Sequence, residues 1–564
     1  MGVVILIALG GPVFLLITSY DNFIDLVLDW LDRSQYRNVA IQLFPKSRFS
    51  LVRWASVVLG VLISFLLISN QTSISRMHEQ LVHTIGKGWS SIKGQLNWHH
   101  YPGKFLCLLL LISTVRMMYY IITMPLIYDE CWTFLNFTIQ GPLSAMLTYP
   151  SSNNHMLISM ISSVLHWLHI PPELSLRLPV LFSGLMSMVV CYRLCSQYFG
   201  HKISSLITTF YSCSLPLSLY MILGRGYSTI CLCYIILLYA VFVKKRVGAF
   251  FVLASIIGFY SIPIFFYPFT LIAAYLLFEI ISNKRTFKSL NRPFVVIIIG
   301  VAVLYAPLLM TNTFVLSVER NANLFATEMS IQFVLQYFVD LFSYLLGTIY
   351  FLPVLGACVL AIIILAQRQR NLQLLVFSGL ALVSPALFVI IQEMRIPLRV
   401  FTFLIINLLF IVGYLLKISK AEIRLKHSVV FVACICIWLF YSSLFHLHPA
   451  VNRLKNEIEE LHLVSKDLLR EGRQSIYLDH EVIKPFISFN AMLNNKQVDI
   501  KMAQINSLDH KDYSAADYYD AIIVSRSTFI IDTDDIPEEM YQKISYDHFT
   551  LYELKCNNPL MNKP

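Results

Sequence analysis

The chain has 564 residues, of which 57% are hydrophobic and only 13% charged, and its mean hydropathy is +0.65. A soluble surface needs about twice that charge density, so soluble multidomain, disordered, collagen-like and disulfide-scaffold classes are excluded. The net charge of +10 is uneven: residues 446–564 hold 19 of the 33 acidic and 13 of the 43 basic residues, net −6 against +16 elsewhere.

A basic membrane part joined to an acidic soluble tail follows. Its Lys and Arg flank apolar segments instead of forming a stripe, so no nucleic-acid partner is expected. The apolar runs are continuous, which excludes a β-barrel, and are long enough to cross about 30 Å of hydrocarbon. In chain order they are 3–20, 51–69, 104–125, 176–194, 203–220, 227–243, 247–260, 264–281, 293–311, 346–366, 372–391, 398–416 and 428–446, about 13 transmembrane helices. Cysteines such as Cys191, Cys213, Cys231 and Cys233 lie inside these runs and read as buried thiols. Fourteen Lys and Arg fall in five short loops, among them Lys245, Lys288 and Lys420, which the positive-inside rule places in the cytoplasm. The opposite loops hold only Arg225, Arg320 and Arg395. For both sets to be consistent, the apolar run 156–170 must lie along the outer surface instead of crossing. His155, His166, Trp167 and His169 suit an interface. After the last span, 450–471 reads as an amphipathic helix stopped at Gly472. Short β-like runs at 475–478, 498–502 and 521–524 then suggest a small soluble α/β domain. The expected division is 1–103 for two N-terminal spans and a cytoplasmic loop, 104–446 for the transmembrane catalytic part, and 447–564 for an outer soluble domain.

Four outer-side features could carry chemistry. Tyr128-Asp129-Glu130 puts two carboxylates just beyond a span, either as a solvated pair capping a surface helix or as a general base whose proton affinity is raised by partial desolvation. Asn153-Asn154-His155 reads as a helix cap or as a polar cluster holding a sugar or metal. Gly224-Arg225-Gly226-Tyr227 places an outer arginine between glycines that would let a ligand approach, and an arginine fork suits phosphate. Arg395 and Arg399 stand at a helix start, a ready anion site. For both arginine features, the plain alternative is a snorkelling side chain without a ligand. Arg177 and Arg320 are weaker candidates of the same type.

The order of these motifs, with Leu-Arg-Leu-Pro at 176–179 and Pro-Leu-Arg at 397–399, resembles the GT-C glycosyltransferases, particularly the branch of protein O-mannosyltransferases and the lipid A aminoarabinose transferase. The resemblance covers about 104–416 and leaves the spans of 1–69 outside it. It implies an all-α polytopic GT-C-like membrane fold with surface helices in the first large outer loop, and a polyprenyl-phosphate-linked sugar as donor. Asp129 would be the base with Glu130 its neighbour. Tyr128, Asn153, Asn154, His155, Arg225, Tyr227, Arg395 and Arg399 would bind substrate. His155 stands at a His-Pro-Pro-like position in which Met156 replaces the first Pro. No cofactor is certain; a divalent metal, where used, would take Glu130 and His155. The expected activity is inverting transfer of a hexosyl or pentosyl group to a hydroxyl of a glycan, lipid or protein. Its expected place is the outer face of a bacterial cytoplasmic membrane, ahead of the endoplasmic reticulum. A transporter or flippase of a lipid-linked sugar is the alternative. Charges near mid-membrane would favour that alternative, whereas these lie at span ends. A scaffold presenting the acidic tail leaves the outer arginines unexplained.

Overall fold

The computed structural model describes residues 101–147, Tyr149, 154–311, 330–346, 373–418, 429–473, most of 475–502, the strands at 521–525, 541–545 and 549–554, and scattered residues between 13 and 64. Five helical segments among them are long and apolar enough to cross a membrane: Gly103–Thr123, Pro172–Cys213, Pro263–Ile281, Phe287–Ala306 and Leu398–Lys417. Shorter apolar helices accompany them, including Tyr227–Val243 and Ala249–Ser261. The protein is an integral membrane protein built of helices. The expected span 346–366 and most of 3–20 and 51–69 lie outside the described residues.

The chain divides into two compact units, one of 1–121 with 140–447 and one of 122–139 with 448–564. In the first, α1 (Tyr101–Thr123), α2 (Pro142–Leu147) and α3 (Met156–Trp167) precede α4 (Pro172–Cys213). At about 1.5 Å per residue, the 12 residues of α3 reach about 18 Å, too short to cross about 30 Å of hydrocarbon. The expected spans 176–194 and 203–220 are two helical stretches of α4 that meet at Gly200, whose non-helical φ of +75° and ψ of 172° break the helix between them. That element ends at Cys213, and α5 (Leu215–Ile222) follows, because Pro216 has no N–H to continue the ladder. Next come α6 (Tyr227–Leu238), α7 (Ala249–Ser261), α8 (Phe266–Ile281), α9 (Phe287–Thr311), α10 (Ile331–Leu346), α11 (Gln373–Gln392) and α12 (Ile405–Ile418), the last preceded by a 3₁₀ turn at Leu398–Leu404. Helix α10 stands where a loop was expected over 312–345. It buries Tyr337, Leu341, Phe342 and Leu345 while Ile331 and Leu335 stay exposed, a one-sided pattern that continuous-run counting passes over.

Burial separates core helices from peripheral ones. Of Leu398–Lys417, 78% is buried, against 11% of Phe287–Ala306. Lipid tails give no hydrophobic drive between spans, so close packing and interhelical hydrogen bonds carry the association. Thr229 Oγ1 donates to Ser183 Oγ (3.0 Å), Ser228 Oγ to Val180 O (2.8 Å) and Asn407 Nδ2 to Tyr234 Oη (2.8 Å). Arg116, buried on α1, donates to Ser212 O (2.8 Å) and stacks over Phe440.

Residues Val429–Arg470 form one helix, α13, where a span and a separate amphipathic helix were expected. It stops as expected: Gly472 takes φ +78°, and the Arg473 N–H reaches back to Leu468 O. In the second unit, β1 (Ser475–Leu478), α14 (Lys484–Leu493), β2 (Asp499–Met502), β3 (Ala521–Ser525), β4 (Tyr541–Ser545) and β5 (Phe549–Leu554) form a sheet of order β2-β1-β3-β5-β4. Strand β1 pairs parallel with β2 and β3, while β5 pairs antiparallel with β3 and β4. The parallel β1–β2 pair requires a crossover, which α14 supplies. Ala521, Ile522 and Ile523 of the central strand are all buried, as a strand covered on both faces requires.

Candidate functional site

The first unit gathers four of the expected residues. His155 is the residue before α3, and its side chain makes no capping hydrogen bond to that helix. Arg225 follows α5 in a tight turn, with Arg225 N–H on Leu223 O and Tyr227 N–H on Arg225 O. Arg225 Nε donates to His155 Nε2 at 3.1 Å. Tyr227 lies under the Arg225 guanidinium (5.7 Å) and edge-on to His155 (5.7 Å). Arg399, in the 3₁₀ turn before α12, donates through Nε to Tyr227 Oη at 3.1 Å. Tyr220 closes the group, 4.4 Å ring to ring from Tyr227. His155, Arg225, Tyr227 and Tyr220 are buried.

Gly226 was expected to let a ligand approach the backbone. The space beside it is filled by protein: a Cβ there would lie 3.2 Å from Ile262 Cγ1 and 3.5 Å from Ile158 Cγ1. Its φ of −67° is open to any residue, so glycine is needed for contact rather than conformation. That contact presses the 224–227 turn against α3 and brings Arg225 to His155. Asn154 is wholly buried and works on the frame: Nδ2 donates to Ala145 O of α2, and Oδ1 accepts from Ser159 Oγ of α3. Asn153 and Arg320 lie outside the described residues.

The electrostatics follow from the hydrogen bonds. An arginine only donates, so His155 Nε2 accepts and the neutral ring carries its proton on Nδ1. Burial first, then the charges of Arg225 and Arg399, hold the imidazole well below its usual range and keep it neutral. Nδ1 is buried and has no hydrogen-bond partner among the described residues. A buried donor left unmade is costly, so the site asks for an acceptor there. A metal does not fit this histidine: one nitrogen has its lone pair engaged and the other carries hydrogen. Among the described residues no group of three or more His, Cys, Asp or Glu could hold a metal ion.

Arg395 stands apart from the cluster. It sits on the turn between α11 and the 3₁₀ segment, its side chain 65% exposed and 3.9 Å from Asp340. Arg177 is fully buried in the first turns of α4 and donates to Ile121 O. The sequence reading passed over Tyr220; its aromatic spacing to Tyr227 was the available signal.

Tyr128, Asp129 and Glu130 belong to the second unit, on a short helix, α-turn Tyr128–Thr133, continued by a π-helical turn, Phe134–Thr138. Asp129 is half-buried and Glu130 buried. Glu130 Oε2 accepts from the Ile127 N–H at 3.0 Å, so this carboxylate closes the helix start.

A scan against protein-family models gives no match, and a search of curated proteins gives none. Solved structures do match. ArnT from Cupriavidus metallidurans in the apo state superposes with a TM-score of 0.53 at 12% identity, over 80% of this chain and 98% of ArnT. The fold is shared with ArnT. The structure of the same enzyme bound to undecaprenyl phosphate gives 0.50 at 12% identity, with the same coverage of 80% and 98%. The GT-C resemblance read from the motifs is thereby met at the level of the fold.

Proposed function

We propose that this protein is a glycosyltransferase that uses a polyprenyl-phosphate-linked sugar and transfers it to an acceptor hydroxyl at the outer face of a bacterial cytoplasmic membrane. The observation that carries this reading is the Arg225–His155–Tyr227–Arg399 network, buried except at half-buried Arg399 and with an unsatisfied Nδ1–H, in a fold shared with an enzyme solved with undecaprenyl phosphate. A phosphate fits that demand: its oxygens accept from Nδ1–H and are attracted by both guanidinium groups. In the reaction the acceptor oxygen attacks the anomeric carbon. The bond to the phosphate oxygen breaks and its electrons leave with the phosphate, whose growing charge the arginines stabilise. Asp129 takes the hydroxyl proton, and one displacement inverts the anomeric centre. Glu130 keeps the Asp129 helix start in place.

The test supplies membranes carrying the protein with a panel of polyprenyl-phosphate sugars and measures release of polyprenyl phosphate together with the anomeric form of the product. Release coupled to an inverted glycoside is expected with at least one donor. Movement of intact lipid-linked sugar across the membrane without cleavage would establish the flippase reading in its place.

A further inference from the structure

Residues 122–139 cluster with the C-terminal domain, and the Leu126–Ile127 peptide is one place where the two meet. The carbonyl of Leu126 meets His462 Nε2 at 3.0 Å, and the N–H of the same peptide, on Ile127, donates to Glu130 Oε2 at 3.0 Å. Both polar groups of the Leu126–Ile127 peptide are therefore held by side chains, three residues before the proposed base. The Ile127 carbonyl in turn accepts from the Glu130 and Cys131 N–H groups that open the helix. From Leu126 O onward, the start of the Asp129 helix is set by hydrogen bonds.

His462 is itself fixed. A carbonyl only accepts, so Nε2 carries the proton. Asn490 Nδ2 then donates to Nδ1 at 3.1 Å, while also donating to Phe486 O at 2.9 Å. The imidazole lies edge-to-face with Phe486 (5.1 Å) and Phe489 (6.1 Å), and Phe489 packs edge-on to Phe134 at 5.7 Å. His462 comes from α13 and Asn490, Phe486 and Phe489 from α14, so both helices of the C-terminal domain converge on this one carbonyl. A hydrophobic residue would fill the same space; a histidine in a single tautomer supplies an N–H to a buried carbonyl whose other donor is the weak Cys131 thiol, 3.7 Å away.

We infer that His462 is a positioning residue: the C-terminal domain orients the Asp129 helix through the His462–Leu126 hydrogen bond. This rests on the reading of Asp129 as base. It gives the domain a part in the reaction without contact to substrate.

Two amide variants of the full-length protein isolate that bond. Gln at 462 carries its amide nitrogen, Nε2, one atom further out than Asn does and reaches Leu126 O, as the histidine Nε2 does. Asn places its amide where Nδ1 sits, facing Asn490, and falls short of Leu126. In His462→Asn, amide exchange at Glu130 and Cys131 should rise about tenfold, the size of one lost hydrogen bond, while strands 475–478 and 521–525 keep their protection. Its kcat should fall by a similar factor with donor KM unchanged. His462→Gln should stay close to wild type on both measures. Identical behaviour of the two variants, or loss of protection spread equally over the strands, overturns the inference. The exchange measurement needs no turnover. A protein that transfers no sugar yet shows the Asn/Gln contrast loses only the function proposed above, and an active protein without the contrast loses only the positioning role.

Discussion

In the cluster around Arg225, the candidate side chains bond to one another: guanidinium to imidazole, guanidinium to phenol, ring to ring. In the helix carrying Asp129, the neighbouring side chains bond to backbone, Glu130 to Ile127 N–H and His462 to Leu126 O. The difference teaches where chemistry and architecture can be separated. Around Arg225 they are one network, and removing a member changes its partners. Around Asp129 the Leu126–Ile127 peptide is held by Glu130 and His462, bonds that do not pass through the carboxylate of Asp129.

The largest effect should come from the separable site. Asp129→Asn keeps the frame and loses the proton acceptor, and turnover should drop by at least about 10²-fold at unchanged donor KM; near-normal steady-state kinetics would remove Asp129 from the role of base. Glu130→Gln retains an oxygen able to accept from Ile127 and should be much milder, whereas Glu130→Ala should loosen the helix start in hydrogen exchange. Next come the arginines. Arg225→Ala and Arg399→Ala should each weaken donor use about tenfold to a hundredfold, the size of a charge-assisted hydrogen bond. Arg225 should be the worse because its loss also releases His155. Lys at either position should recover only part, since the fork is lost. Equal donor kinetics in wild type and both Ala variants would show the arginines to be structural.

Smaller effects sharpen the contrast further. Gly226→Ala sets a methyl 3.2 Å from Ile262, an overpacking on the order of 1 kcal/mol, and should raise donor KM several-fold while leaving the Asp129 helix untouched. The smallest concerns pH. His155 is held below the ordinary imidazole value of about 6.5. Between those values the unfolded chain binds the extra proton, so this stability is present above about pH 6.5 and is lost as pH falls toward the folded value. Melting in detergent from pH 7.5 to 5.5 should show that loss, reduced in His155→Gln; an identical pH slope in the two proteins would refute it.

Much of this was legible because membrane physics writes long signals. Continuous apolar runs marked α1, α6 through α9, α11 and α12 to within a few residues, and Gly472 marked the end of α13. Amphipathic α10 escaped because Gln332, Gln336 and Asp340, four residues apart, interrupt its apolar run, whereas Gly200 separates two runs as their spacing suggested. Within the site, an arginine on the sparsely charged face pointed to Arg225, and a Pro-Leu-Arg at a span start to Arg399. The pairing of Arg225 with His155 was not legible, since it depends on Ile158 and Ile262 closing on Gly226 across distant parts of the chain. Arg395 shows the converse: four residues from Arg399 and of the same chemistry, it falls on the turn and faces solvent. Asn154 read either as a helix cap or as part of a polar cluster, and its buried amide contacts with Ala145 and Ser159 leave no trace in local sequence.

The neutrality of His155 bears on how the reaction ends. A sugar phosphodiester carries one negative charge, while the lipid phosphate it leaves behind approaches two near neutral pH, with a second ionisation near 6. Two guanidinium groups flanking an uncharged imidazole match the spent carrier better than the loaded one. On the proposed reading the enzyme therefore holds its by-product more tightly than its substrate. Added polyprenyl phosphate should then inhibit at concentrations below the donor KM, and weaker inhibition than that would contradict the charge match. Throughput at the outer face would be governed by whatever clears empty carrier from the membrane, so the rate of glycosylation would report the recycling of the lipid as much as the supply of sugar.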